Sequence, residues 1–156
     1  MSEDVTRRIE LILKDRGFDH RILEHKPVYT SEEAAEARGV EPGTGVKALI
    51  LKTPDGRFIA GLCPGDKKLD LKHIARLEGV KKVSLAKPEE VLEVTGCEIG
   101  SVPPFGFQKT LKTYMDRDVL KNKWVNFNIG LHTKSARMKA ADLKKLIDHT
   151  MFKSKK

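Results

Sequence analysis

The segment Val46–Leu51, with the sequence VKALIL, is the strongest strand signal in the chain and decides what can surround it. In a strand, alternate side chains share a face, and here both faces carry apolar residues. Such a pattern is typical of a strand that other elements cover on both sides. Lys47 is the single charge within it, so we predict a cation at the end of an apolar face. The alternative is a lysine whose ammonium reaches solvent.

Turn and helix signals around this strand predict a mixed architecture. The Pro-Asp-Gly tripeptide at 54–56 is a turn, so Arg57–Cys63 is predicted to return beside the strand as a hairpin. Because helices and strands alternate irregularly, the chain is predicted to be α/β of the mixed α+β kind, not a doubly wound parallel sheet. A capping box at Thr30–Glu33 predicts a helix that runs to Arg38. The other predicted helices are Asp4–Arg16, Leu69–Leu77, Pro88–Thr95 and Ala141–Phe152. The other predicted strands are His20–Glu24, Lys82–Leu85, Thr113–Met115, Trp124–Asn128 and Ser135–Lys139.

Length and charge indicate one basic domain. The 156 residues suit a single folded unit, predicted to span residues 1–152 and to be followed by a basic tail at 153–156. Lys and Arg number 30 against 22 Asp and Glu, giving a net charge of +8. Residues 1–46 hold 7 basic and 10 acidic side chains, whereas residues 47–156 hold 23 and 12. This asymmetry favours a polyanionic partner, with nucleic acid first, and solubility alone is the alternative.

Membrane, disulfide, metal and cofactor classes are not expected. The longest strictly apolar run is Ala48–Leu51, and the opening residues hold no apolar core, so we expect neither a membrane span nor a secretory signal. Two cysteines, Cys63 and Cys97, cannot build a disulfide framework, which favours reduced thiols in the cytoplasm. No histidines or cysteines pair at ligand spacing, and GVEPGTGVK at 39–47 does not match a phosphate-binding loop.

The loop Thr95–Phe107, TGCEIGSVPPFGF, is rich in Gly and Pro yet flanked by apolar residues. Two adjacent prolines stiffen it and donate no hydrogen bonds. The donors that can face a ligand oxygen, in the manner of an oxyanion hole, are therefore the amides of Gly100, Ser101 and Val102, followed by those of Phe105 and Gly106. A structural crossover between elements is the alternative.

Two further features carry weaker signals. His132, in GLHT between two predicted strands, is a candidate catalyst, although a surface histidine is the more ordinary interpretation. The densest basic stretch is a candidate for phosphate contacts with steep salt dependence, and a solvated surface is the alternative for each residue. Its members are Lys67, Lys68, Lys72, Arg76, Lys81 and Lys82.

Four segments, taken in order, resemble one family. They are GTGVKALIL at 43–51, PGDKKLDLKHIARL at 64–77, EIGSVPPFGF at 98–107 and NIGLHTKSARMKAADL at 128–143. The chain resembles the YbaK/ProX family of free-standing aminoacyl-tRNA deacylases, which is related to the editing domain of bacterial prolyl-tRNA synthetase. The resemblance extends over His25–Leu143, and its most specific parts are Lys47 and the loop at 100–106.

The resemblance implies a fold, an activity and partners. The fold would be a single domain with a mixed, partly barrel-like sheet surrounded by helices. The activity would be trans-editing, which maintains translation fidelity by hydrolysing the ester of a mischarged aminoacyl-tRNA. The substrate would be of the Cys- or Ala-tRNA(Pro) type. The partner would be the acceptor end of aminoacyl-tRNA, with prolyl-tRNA synthetase left open as a second partner. A non-catalytic tRNA-binding or synthetase-associated module with the same fold is the alternative.

The resemblance also implies a site without a metal or cofactor. No Ser-His-Asp arrangement is visible and no GxSxG surrounds the loop serine, so we expect water to attack the ester directly. The Gly100–Pro104 loop and Lys47 would stabilise the developing negative charge. The expected catalytic residues are Lys47, Gly100 and His132; the expected substrate-binding residues are Tyr29, Thr30, Ser101, Val102, Pro103 and Pro104.

Overall fold

Two sheets and five helices form the fold in the computed structural model, which describes residues 2–154. Two short 3-10 turns, Pro42–Thr44 and Arg117–Lys121, join elements. The helices are α1 Ser2–Asp15, α2 Ser31–Arg38, α3 Leu71–Glu78, α4 Pro88–Thr95 and α5 Ala140–Leu146; the strands are β1 His20–Glu24, β2 Val46–Lys52, β3 Phe58–Pro64, β4 Ser84–Leu85, β5 Lys112–Asp116, β6 Trp124–Asn128, β7 Lys134–Lys139 and β8 Thr150–Phe152.

The larger sheet has the order β4-β2-β3-β5-β8, and the smaller has the order β1-β7-β6. β2 pairs antiparallel with β3 and β4, whereas β3, β5 and β8 run parallel, so the predicted mixed sheet and the β2–β3 hairpin are confirmed. A bridge between Gly45 and Asn126 connects the two sheets. The sheets are not closed into a barrel, so this part of the prediction is corrected: the two sheets meet at the bridge but stay separate.

β2 is buried on both faces, as its sequence predicts. Val46 and Ile50 belong to the larger apolar core, which α1 covers with Ile9 and Leu13. Leu51 points the other way into a second core, which α3 covers. Among residues 2–154 no helix is long and apolar enough to cross a membrane.

The predicted closing helix over Ala141–Phe152 is wrong beyond Leu146. The chain leaves helical geometry at Ile147 and forms β8, which pairs parallel with β5. Phe152 is buried, and its ring meets His73 of α3 edge to face at 5.5 Å. Sheet pairing and ring burial therefore override the local helical pattern.

The start of the predicted basic tail is held against the domain. His73 Nδ1 lies 3.0 Å from the Lys153 carbonyl oxygen, so α3 anchors the backbone after β8. Ser154 is buried. Lys155 and Lys156, also assigned to the tail, lie outside the described residues.

A buried carboxylate at the end of α3 joins the second core to the sheet. The Tyr114 hydroxyl donates to Glu78 Oε1 at 2.5 Å, Arg57 Nη1 donates to Oε2 at 2.5 Å, and Lys112 Nζ lies 3.0 Å from Oε1. Burial raises the pKa of Glu78, but these hydrogen bonds outweigh it and lower the pKa to about 2.

Replacing this carboxylate should remove stability in a pH-dependent way. Because the Glu78 pKa falls from 4.5 to about 2 on folding, its contribution is present above pH 4.5 and is lost as the pH falls toward 2. We expect Glu78→Gln to lower the free energy of unfolding by about 2 kcal/mol near pH 7 and by almost nothing near pH 2. Urea denaturation across this range measures the difference, with Glu93→Gln on the exposed face of α4 as the control. A Glu78→Gln effect of equal size at both pH values would contradict this account.

Candidate functional site

A cavity of about 270 Å³ opens between the first turn of α2, the start of β2 and the loop before the prolines. The capping box places the α2 turn there: Thr30 Oγ1 accepts from the Glu33 amide, and Glu33 Oε1 accepts from the amides of Tyr29 and Thr30. Tyr29 and Thr30, predicted as substrate-binding residues, both line the cavity. Ser31, which sequence reasoning missed, lines it too.

Lys47 lies on this cavity wall, opposite Cys63 in the β2–β3 register. Among residues 2–154 no hydrogen bond or ion pair joins the Lys47 ammonium to another side chain. It is therefore a cation available to a ligand, in keeping with the prediction of a charge at the end of an apolar face.

The cavity adjoins the short part of the β2 edge that lies between the Gly45–Asn126 bridge and β4. The Gly65 amide donates to the Gly45 carbonyl at 2.8 Å, so these two residues form a hydrogen-bonded pair of the antiparallel ladder. Every second residue of β2 after Gly45 therefore also directs its amide and carbonyl toward β3. The backbone groups of Lys47 then face β3, and those of Val46 and Ala48 face the opposite edge. β4 and the residue that follows it cover that edge from Ile50 to Lys52, where the Ala86 amide donates to the Ile50 carbonyl at 2.9 Å. The amide and carbonyl of Ala48 are thus left at the cavity wall.

The loop at 99–102 forms the opposite wall. Gly100 has φ +91°, and an added Cβ would lie 3.2 Å from the Tyr29 carbonyl oxygen and 3.3 Å from His132 Cε1. Only glycine fits this position without strain. Asn128 Nδ2 donates to the Gly100 carbonyl at 2.7 Å and so orients the loop.

The predicted set of five ligand-facing amides is reduced to two, because Phe105 and Gly106 do not line the cavity and the Ser101 amide is bonded within the loop. The Ser101 amide donates to the Glu98 carbonyl at 3.0 Å, and the Ser101 hydroxyl donates to the same oxygen at 2.8 Å. Ser101 is therefore occupied inside the loop. The amides of Gly100 and Val102 have no hydrogen-bond partner within the described chain, and both residues line the cavity.

The other predicted binding residues of the loop do not reach the cavity. Ser101 is buried, and the two prolines, Pro103 and Pro104, are buried behind it. None of the three is part of the cavity wall. They therefore lie behind the wall that Gly100 and Val102 form.

His132 lies beside the cavity rather than in its wall. Its Nδ1 is 2.9 Å from the Val28 carbonyl oxygen, and its Nε2 is 3.3 Å from Glu98 Oε1. Its ring stacks at 4.4 Å on Tyr29, which does line the cavity. The predicted catalytic histidine is therefore placed to position Tyr29 and the loop.

Arg38, at the end of α2, is a cavity residue that sequence reasoning missed. Its Nε donates to Ser135 Oγ at 3.0 Å, and its Nη2 donates to Asn128 Oδ1 at 3.2 Å. Because Asn128 in turn holds the Gly100 carbonyl, Arg38 supports the loop through one intermediary. An arginine in the last turn of a helix is ordinary, so its position in the sequence carries no signal.

The cavity is positively charged. Burial, together with the nearby charge of Arg137, lowers the pKa of the Arg38 guanidinium to about 10, which leaves it protonated at neutral pH. Lys47 adds a second cation, and no carboxylate belongs to the cavity wall within the described residues. Such a site favours negative charge on a bound group.

No activated thiol serves this cavity. Burial raises the pKa of the Cys63 thiol to about 12 and that of Cys97 to about 11, so both stay protonated at neutral pH. Across residues 2–154, no group of three His, Cys, Asp or Glu side chains is arranged to hold a metal ion.

Comparison with known proteins adds a family to this geometry. Residues 25–146 match the model of the aminoacyl-tRNA editing domain. The multifunctional Ser/Thr-tRNA deacylase ProXp-y of Escherichia coli (strain K12) is 34% identical over 140 residues, covering 87% of this chain and 84% of that protein. A proline–tRNA ligase of Bacillus licheniformis is 34% identical over 93 residues, which are 59% of this chain but 16% of the ligase.

A solved structure agrees over almost the whole fold. It is described, as a provisional assignment, as a trans-editing enzyme for prolyl-tRNA synthetase. It superposes with a TM-score of 0.86 at 34% identity and covers 97% of both chains.

Gly100→Ala tests the loop wall. We expect the added Cβ and the positive φ to cost about 1–2 kcal/mol of stability and to move the Gly100 amide, which should lower turnover by at least tenfold. Gly79→Ala is a matched control, since Gly79 also has a positive φ, +75°, but nothing lies within 4 Å of the added carbon. Thermal melting and single-turnover assays separate the two effects. Equal turnover in both variants would contradict the role of this wall.

Arg38→Lys tests the support of the loop. The variant keeps the charge but cannot bond Ser135 and Asn128 together in the same planar geometry. We expect kcat to fall about tenfold with little change in KM, and the NMR signals of the Gly100 and Ser101 amides to shift. Arg137→Lys, beside it but outside the cavity wall, is the control and should leave both readouts near wild type.

Proposed function

This chain belongs to the aminoacyl-tRNA editing domain family, and on that basis we propose that it is an aminoacyl-tRNA deacylase acting in trans. It hydrolyses the ester between a wrong amino acid and the terminal adenosine of a tRNA. The observation that carries this proposal is a cavity that combines two cations, two unpaired amides and no carboxylate. Ester hydrolysis develops negative charge on a carbonyl oxygen, and this cavity suits that charge.

The loop amides bind the developing oxyanion. When water adds to the ester carbonyl, its oxygen becomes negatively charged, and donors already fixed in place stabilise it most effectively. The amides of Gly100 and Val102 take this role. Asn128 keeps the loop oriented from behind, which supports a fixed geometry at the moment of reaction.

Lys47 anchors the substrate by its charge. An ammonium at the end of β2 pairs with the phosphate or ribose of the terminal adenosine and adds positive potential at the oxyanion. Arg38, which also lines the cavity, contributes to the same potential.

The unpaired edge of β2 receives the amino group of the substrate. An α-ammonium needs hydrogen-bond acceptors, and the described cavity wall offers it no carboxylate. The carbonyls of Val46 and Ala48 face this edge and accept its protons. The aminoacyl group then lies along β2 in the way that a peptide extends a sheet.

Water attacks the ester directly. The water oxygen bonds to the carbonyl carbon, the ester C–O bond breaks, and the proton passes to the departing ribose oxygen with the neighbouring ribose hydroxyl assisting. The products are a free amino acid and a tRNA with an intact terminal ribose. The engaged, buried hydroxyl of Ser101 and the protonated thiols support this route over a covalent acyl-enzyme.

The cavity favours small side chains. Its volume of about 270 Å³ has to receive the ester and the amino acid together. Ala, Cys, Ser and Thr are therefore the substrate class that we propose, with Ala- or Cys-tRNA(Pro) first. The Ser/Thr-tRNA deacylase relative supports the same size class.

We place the enzyme in the cytoplasm. Prolyl-tRNA synthetase is a candidate partner, because a proline–tRNA ligase is similar to this chain over 93 residues.

Deacylation of a charged-tRNA panel tests the proposal. tRNA(Pro) carrying Ala, Cys or Pro, together with Ser- and Thr-tRNA, is incubated with wild type, Lys47→Ala and the surface control Lys123→Ala. We expect one small mischarged amino acid to be released fastest and Lys47→Ala to be slower by about 10²–10³-fold, because a charge at the transition state is removed. Lys123→Ala should match wild type.

The alternative is a non-catalytic tRNA-binding or synthetase-associated module. It is favoured if wild type binds tRNA in a salt-dependent way but clears no species in the panel. Clearance that is equal in wild type and Lys47→Ala would overturn the assigned role of Lys47 while leaving the deacylase assignment in place.

A further inference from the structure

A second surface of the molecule carries a cluster of positive charge away from the proposed catalytic cavity. A groove of about 370 Å³ lies between α3 and the segment that follows it. Aliphatic side chains, including Val80 and Val83, form its floor. The basic side chains around it, which together with this floor we name the α3 groove, are Lys72, Arg76, Lys81 and Lys82.

Local structure brings these four cations together. Lys72 and Arg76 are four residues apart on α3 and therefore share a helix face. The helix ends at Gly79, whose φ of +75° reverses the chain. The reversal carries Lys81 and Lys82 back beside the same face.

The charge of the groove is not neutralised within the described part of the chain. None of its four cations forms an ion pair there, and no carboxylate lines it. The nearby Glu78 is already bound by Arg57, Lys112 and Tyr114. Lys67, from the same basic stretch of sequence, differs because it is paired with Asp118.

We propose that the α3 groove binds the phosphate backbone of the paired acceptor stem of tRNA. Clustered, unpaired cations are the usual footprint of a phosphate backbone. Three of the four are lysines, which are depleted at protein–protein interfaces. No aromatic side chain lines the groove, so it lacks the stacking surfaces that single-stranded bases require. This inference rests on the proposed function, since it supplies the rest of the same substrate.

The position of the groove suits one tRNA spanning both sites. β4 follows the groove directly and pairs with β2 at Leu51 and Lys52. Lys47 lies at the other end of β2, on the order of 16 Å away at about 3.3 Å per residue. The terminal adenosine can therefore occupy the cavity while phosphates further along the RNA reach the groove.

A neutralised groove provides the test. The groove variant carries Lys72→Gln, Arg76→Gln, Lys81→Gln and Lys82→Gln. A control variant of equal charge change carries Lys14→Gln, Lys123→Gln, Lys144→Gln and Lys145→Gln, four lysines that line neither the cavity nor the groove. Circular dichroism and thermal melting establish that both variants are folded.

Two substrates distinguish the groove from the catalytic cavity. One is the aminoacyl-tRNA cleared fastest in the panel, and the other is the same amino acid esterified to a CCA trinucleotide, which has no stem. We expect the groove variant to lose tenfold or more in kcat/KM on the tRNA and less than twofold on the trinucleotide. The slope of log affinity for uncharged tRNA(Pro) against log salt should become shallower by about 0.7–0.9 for each phosphate that the variant no longer neutralises.

Each outcome decides a separate claim. If the groove and control variants lose tRNA affinity and salt slope equally, only net charge matters and the groove proposal is overturned. It is also overturned if the groove variant keeps tRNA binding but loses affinity for prolyl-tRNA synthetase, since the surface would then contact protein. If wild type cleaves neither substrate, the proposed function fails, while the tRNA(Pro) salt slopes still decide the groove.

Discussion

A strand that packs against an apolar core on each face, yet is left unpaired along part of one edge, underlies the whole arrangement. β2 packs against an apolar core on each face. Burial of apolar surface stabilises a folded protein by about 25 cal/mol per Å², so moving this strand would be unfavourable. β3 satisfies one edge, whereas on the other edge β4 and Ala86 cover only Ile50 to Lys52, and the bridge to Asn126 lies beside Gly45. The carbonyls of Val46 and Ala48 are thus held rigidly while they face the open edge. The proposed site thus combines groups fixed by the sheet with loop amides that Asn128 orients.

The electrostatics of the cavity depend on the neutral groups around its cations. A buried guanidinium is unfavourable unless its donors are bonded, and Arg38 meets this need with the neutral oxygens of Ser135 and Asn128. A carboxylate in their place would stabilise the arginine more but would cancel its field. The arrangement therefore sacrifices some stability and retains the positive potential that an oxyanion requires.

Features that depend on neighbouring residues could be predicted from the sequence. The Thr30–Glu33 capping box, the helix Pro88–Thr95 and the two-sided burial of β2 are each encoded by residues within one element. The mixed α/β class followed from the irregular order of these elements. The resemblance to an editing family also directed attention to Lys47 and the loop, both of which border one cavity.

Features that depend on distant partners could not be predicted in this way. Residues 150–152 continue a helical pattern, but pairing with β5 makes them a strand. The Ser101 amide is a separate case: its acceptor, the Glu98 carbonyl, is only three residues away, but the contact depends on how the loop turns, which residue types alone do not specify. Arg38 acquires its role from Ser135 and Asn128, which lie 97 and 90 residues further along the chain, and no local pattern encodes such a contact.

Division of recognition between a small cavity and a remote basic surface fits the demands of editing. A pocket separates side chains that differ by one methylene by only about 1–3 kcal/mol, so it can select a substrate but contributes little affinity. Phosphate contacts supply affinity without regard to the amino acid, and they weaken as salt rises. An enzyme that draws its affinity from the RNA and its selectivity from the ester can inspect many charged tRNAs and release the correct ones unchanged. Because β2 packs against apolar cores on both faces, it is a rigid connection between the two surfaces, and in the proposed complex RNA bound near β4 would hold the ester in register at Lys47.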